Sequence, residues 1–149
     1  MDNTNQYLRP ANLLAVLAGL VLIAGGCGQG PKLPPMAEVS GLVTLDGKPL
    51  PRGMVQFVPD AAKGNQGPPA SGGIGSDGRF RLLTGGLSGA IVGWHLVSVQ
   101  ARKEVDLNQV SWAPSLIPEK YNDPAKSGLA FEVKAGASND CPLNLSSRP

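Results

Sequence analysis

From Val39 onward the chain alternates apolar and polar residues with period two, and that rhythm restricts it to half-buried strands. Val39, Gly41, Val43 and Leu45 share one face, with Glu38, Ser40 and Thr44 opposite and Leu42 interrupting the polar side. Asp46-Gly47-Lys48-Pro49 reads as a turn, because Asp-Gly tolerates the positive φ of tight hairpins. Met54 to Val58 is the second predicted strand, with Val55 and Phe57 inward and Pro59 ending it. Ile74 to Leu83 reads as a hairpin around Ser76-Asp77-Gly78, with Phe80 and Leu82 on one side and Arg79 and Arg81 on the other. Gly93 to Gln100 follows, then Leu129, Phe131 and Val133 on one face, then Cys141, Leu143 and Leu145. Residues 60–72 and 113–127 are the two long loops, each open to mobility or to an interaction. Seven strands and no amphipathic helix predict an all-β fold, a seven-stranded antiparallel β-sandwich after an N-terminal signal segment. Val43, Phe57, Phe80, Val97, Val99, Phe131 and Leu143 are its expected core.

Composition fits that reading. A chain of 149 residues suits one domain, and 20 Gly with 14 Pro suits short strands joined by many turns. Apolar residues at 42% are enough for a core. A net charge of +2 makes nucleic acid a poor partner, since phosphate binding needs a concentrated basic stripe. One His and two Cys fall short of a structural zinc set, and the scattered carboxylates Glu38, Asp60, Glu104, Glu119 and Asp123 lack calcium-ligand spacing. No metal and no cofactor are expected.

The first 26 residues differ from the rest. Arg9 precedes an uncharged stretch from Leu13 to Gly26, about the length of a secretory apolar region and short for a membrane span. The run Ile23-Ala24-Gly25-Gly26-Cys27 resembles a bacterial lipobox. That resemblance implies cleavage before Cys27, a diacylglycerol on its sulfur and acylation of the new amino group. An ordinary cleaved signal and an uncleaved anchor are the other readings. Residues 27–36 (Cys-Gly-Gln-Gly-Pro-Lys-Leu-Pro-Pro-Met) form a Pro-rich, extended tether, and 37–149 the folded domain. With Cys27 lipidated, Cys141 is the single thiol left and no intramolecular disulfide can form.

Val39-Ser40-Gly41-Leu42-Val43-Thr44-Leu45-Asp46-Gly47-Lys48-Pro49-Leu50, then Gly53-Met54-Val55-Gln56-Phe57, resembles the opening of carboxypeptidase regulatory-like, transthyretin-like domains. Gly75-Ser76-Asp77-Gly78-Arg79-Phe80 and Gly93-Trp94-His95-Leu96-Val97-Ser98-Val99 occur in the same order in that family. Ile117-Pro118-Glu119-Lys120-Tyr121-Asn122-Asp123-Pro124 resembles small secreted lipoproteins of planctomycete-type bacteria. The resemblance spans Glu38 to Leu145 and implies a prealbumin-like sandwich used as an accessory or interaction module. It implies no defined activity.

Each chemically suggestive residue also has a plain structural reading. Gly73-Ile74-Gly75-Ser76-Asp77-Gly78 spells G-x-G-x-x-G, but a dinucleotide site needs that turn to open a helix, and Arg79 to Leu83 reads as strand. His95, flanked on its face by Val97 and Val99, reads as a hydrogen-bonded, partly buried side chain at one end of the sandwich. A general base would need an orienting partner and an open path to substrate. Transthyretin-like hydroxyisourate hydrolases rely on several His and Arg residues and a Tyr-Arg-Gly-Ser ending, whereas this chain ends Leu145-Ser146-Ser147-Arg148-Pro149. Cys141 reads as a small buried thiol, with pairing between chains as the alternative. Trp112, Leu116, Ile117 and Tyr121 either fold back over a sheet edge or present an aromatic anchor. Arg79, Arg81, Arg102 and Lys103 read as a solvated strand face. The expectation is a non-catalytic, lipid-anchored cell-envelope protein facing the periplasm or exterior. Its partners are the membrane, through the lipid on Cys27, and an envelope protein or glycan. The alternative is a small envelope enzyme using His95. A carbohydrate-binding module would need exposed aromatics on a flat face, and the chain holds only two Trp and two Tyr.

Overall fold

The computed structural model describes residues 34–104 and 113–148; the signal segment 1–26, Cys27 and Trp112 lie outside the described residues. The described chain is all-β. Its strands are β1 (Met36–Ala37), β2 (Val39–Leu45), β3 (Lys48–Pro49), β4 (Gly53–Pro59), β5 (Ala70–Ile74), β6 (Arg79–Arg81) and β7 (Leu83–Thr84). They continue with β8 (Leu87–Ser88), β9 (Ala90–Ile91), β10 (Gly93–Gln100), β11 (Leu129–Val133), β12 (Asn139–Asp140) and β13 (Leu143–Leu145). Seven of them are three residues or longer. Only two short 3-10 segments, Ala61–Lys63 and Glu119–Asn122, interrupt them among the described residues.

An antiparallel sheet runs in the order β11-β10-β4-β5-β7-β8. A second sheet centres on β2, which pairs antiparallel with β3 and β6. Asp46 at φ +50° and Gly47 at φ +81° supply the left-handed pair that the β2–β3 turn demands. The C-terminal strands depart from the all-antiparallel expectation: β12 and β13 run parallel to β2, with Asn139 opposite Val39 and Leu143 opposite Val43. Period two fixes which face of a strand is buried; it does not name the neighbour or its direction. Residues between β2 and β12 provide the long crossover that parallel pairing needs. Pro142, lacking an N–H, separates the two parallel stretches. Thr44 Oγ1 donates to Asn144 Oδ1 at 2.9 Å across the β2–β13 pair.

The expected hairpin at 74–83 also resolves differently. The Gly75–Gly78 turn closes, with Gly78 N donating to Gly75 O at 2.9 Å, but β5 then pairs with β4 while β6 pairs with β2. The two arms therefore enter different sheets. One hydrophobic core draws on both: Val43, Phe80, Leu143 and Leu145 from the β2 sheet, and Val55, Phe57, Val97, Val99 and Val133 from the other. Phe131, expected among them, is only partly buried. It lies on β11, an edge strand with a neighbour on one side only. Met36, expected in the tether, is the first paired residue, opposite Ile91.

Residues 113–128, ahead of β11, fold back on the domain. Arg102 bridges to Ser115, Leu116 N donates to Ala101 O at 2.9 Å, and Ile117 and Tyr121 join the core. The Tyr121 hydroxyl accepts from Ser146 N at 3.1 Å, and Ser127 Oγ donates to Val97 O at 2.6 Å. These residues serve packing. The start of the 60–72 loop is likewise ordered: Asp60 accepts from Ala62 N at 3.1 Å, and Asn65 Nδ2 donates to Trp94 O at 2.8 Å.

Candidate functional site

His95 is 1% exposed, deeper than the sequence implies. Its position on β10 between Val97 and the start of the strand turns it inward, where its ring lies 5.7 Å from that of Phe57. Nδ1 donates to the Gly93 carbonyl at 3.0 Å, which assigns the proton to that nitrogen. Nε2 is then a bare acceptor, buried with no hydrogen-bond partner among the described residues. Burial holds the imidazole below its ordinary pKa, partly opposed by the Gly93 hydrogen bond. The ring is neutral at neutral pH, is oriented by its own strand rather than by a carboxylate, and offers a substrate no approach.

Cys141 is buried beside β2, its N–H donating to Ser40 O at 2.8 Å. Burial, reinforced by the neighbouring Asp140 charge, pushes its thiol up to about 12. A thiolate is the nucleophilic form, so this sulfur is inert near neutrality. Gly41 explains the close fit: a Cβ there would run into the Cys141 carbonyl and the Phe80 ring.

The basic residues divide. Arg102 sits on the bridge to Ser115, with Nη1 donating to Ala113 O at 3.2 Å. Arg79 and Arg81 share the outer face of β6, where the sequence suggests only a solvated strand face. They line a shallow depression of about 430 Å³ together with Ser40, Gly41, Gly73, Gly75 and Phe80. Arg81 also borders a second hollow of about 170 Å³ with Glu38, Ser40 and Ser88. Arg79 stands 3.9 Å from Asp77, both well exposed, a pair that adds little stability. A guanidinium can take a carboxylate or phosphate through its planar fork. No sequence signal points to this surface, because its lining comes from β2, β5, β6 and the turn between the last two.

The G-x-G-x-x-G run leads from β5 into β6 and not into a helix, and its Gly75 and Gly78 amides bond within the turn. Among the described residues no three His, Cys, Asp or Glu side chains gather to hold a metal ion, and no helix is long and apolar enough to cross a membrane. No protein-family model matches the chain, and no curated protein or solved structure matches it either.

Proposed function

We propose that this chain is a lipoprotein of the bacterial cell envelope, held to the membrane by acyl groups on Cys27, whose domain binds or scaffolds an envelope partner without catalysis. The folded part is read as a prealbumin-like β-sandwich of the carboxypeptidase regulatory-like, transthyretin-like kind. Seven strands of three residues or more, in two sheets around one core, support that reading.

The placement of His95 carries the non-catalytic half of the proposal. The single imidazole of the chain is neutral, 1% exposed and hydrogen-bonded to its own strand. General acid–base work requires contact with a reacting group. At the surface, Arg81 borders two hollows, which suits binding. Crosslinking in the native envelope tests this: a discrete partner should be trapped equally by the wild type and by a folded His95→Asn variant. A specific turnover abolished by His95→Asn would replace the proposal with an enzyme.

A further inference from the structure

The β7–β8 hairpin is the outer edge of the six-stranded sheet, and it is apolar where exposed edges are ordinarily charged. Leu83 is 46% and Leu87 57% exposed. Gly85 and Gly86, at φ +56° and +87°, form the tip and have nothing within 4 Å of where a Cβ would stand, so the tip projects freely. No Asp, Glu, Lys or Arg occurs from Leu82 to Ala101.

The N-terminal side of the domain arrives beside this edge. β1 pairs with β9, the strand that directly follows the hairpin, and Val92 N donates to Pro35 O at 2.9 Å. Gly89 lies so close to Ala37 that a Cβ there would meet its carbonyl. Cys27 is seven residues before Pro34, a contour of at most about 25 Å. Two residues beyond Val92, at the start of β10, Lys63 Nζ sits 3.4 Å from the centroid of the Trp94 ring. Trp and Lys are the side chains that favour the headgroup region of a bilayer. Met54, 52% exposed, is the counterexample: it pairs with Gly73 and Gln100 at the far end of β4 and β10.

We infer that the Leu83–Ser88 hairpin is a lipid-contacting edge, and that its two leucines enter the boundary between headgroups and acyl chains and set the domain's orientation on the membrane. This rests on the reading of Cys27 as the lipid-bearing residue. Acyl chains hold the protein near the bilayer, and a small apolar protrusion then gains by partitioning at no further cost of association.

The test uses the full chain, purified from the membranes of producing cells and reconstituted in phosphatidylcholine–phosphatidylglycerol vesicles. Leu87→Cys and, separately, Met54→Cys carry an environment-sensitive fluorophore, with Cys141 left in the core. Both proteins should float with the vesicles. The probe at position 87 should shift to the blue and lose most of its emission to a quencher confined to the acyl region. The probe at position 54 should behave as in water and respond only to aqueous iodide. A floating protein whose position-87 probe matches position 54 overturns the inference and leaves the lipid anchor standing. A protein that fails to float removes the anchor and the inference together. A blue shift that follows protein concentration without vesicles would assign the edge to a second copy of the chain and overturn the lipid contact.

Discussion

Replacing Phe57 by Ala tests the core most severely. Phe57 is completely buried on β4, between β10 and β5, and its ring lies 5.7 Å from His95, 5.9 Å from Phe131 and 6.5 Å from Phe80. Removing a buried Phe side chain costs about 3–5 kcal/mol through lost transfer energy and the cavity left behind. Three neighbours on three strands cannot all collapse into the void, although partly buried Phe131 has freedom to move inward. About 4 kcal/mol is the expected loss, against a total of roughly 5–15 for a domain of this kind. With a urea m-value of about 1.5 kcal/mol per molar, the unfolding midpoint should fall by about 2–3 M at unchanged m. Met54→Ala, on the same strand but facing water, should cost about 0.5 kcal/mol or less. Similar losses at the two positions would mean that the face of β4 has been misassigned.

Gly41→Ala should cost about 1–3 kcal/mol by forcing β2 away from the Cys141 backbone, with amide exchange of Leu143 to Leu145 rising first. Gly73→Ala, facing open space at an ordinary φ, should be neutral or stabilising by up to about 1 kcal/mol. His95 has a folded pKa below its ordinary value of 6.5, so the fold favours the neutral ring. Its contribution is complete above about pH 6.5 and falls as pH drops toward the folded pKa, by at most about 1.4 kcal/mol per pH unit. Urea midpoints at pH 7 and 5.5 should therefore differ more for the wild type than for His95→Phe. Cys141 should react with iodoacetamide no faster than the domain unfolds; modification of the native protein at the rate of a free thiol would contradict its burial.

Much of the strand pattern is legible in the sequence because alternation and turn chemistry are local. β2 runs from Val39 to Leu45, β10 from Gly93 to Gln100 and β11 from Leu129 to Val133, as the alternation predicts, and the Asp46-Gly47 turn follows from its residue types. Pairing is not local. Nothing in Leu143-Asn144-Leu145 states that its neighbour is β2, a hundred residues earlier, or that the two run parallel. The β7–β8 hairpin does not show in the alternation, although Gly85-Gly86 is a two-residue hairpin signal, because its arms are two residues each and too short to show a period. Phe131 fits the inward pattern, but only the sheet order reveals that its strand is an edge. At the candidate site, the inward direction of His95 followed from Val97 and Val99, whereas its depth depended on Phe57 of a neighbouring strand. Arg79 and Arg81 were visible as an outward pair; the depression they line is assembled from β2, β5 and β6 together.

The claim on which the functional account turns is the lipid on Cys27, and the intact mass of the protein purified from its native membranes tests it most directly. The account predicts a chain beginning at Cys27 and carrying the added mass of a diacylglycerol and an amino-terminal acyl group, with Cys27→Ser released from the membrane or left unprocessed. A native amino terminus elsewhere, with no lipid mass, would contradict it.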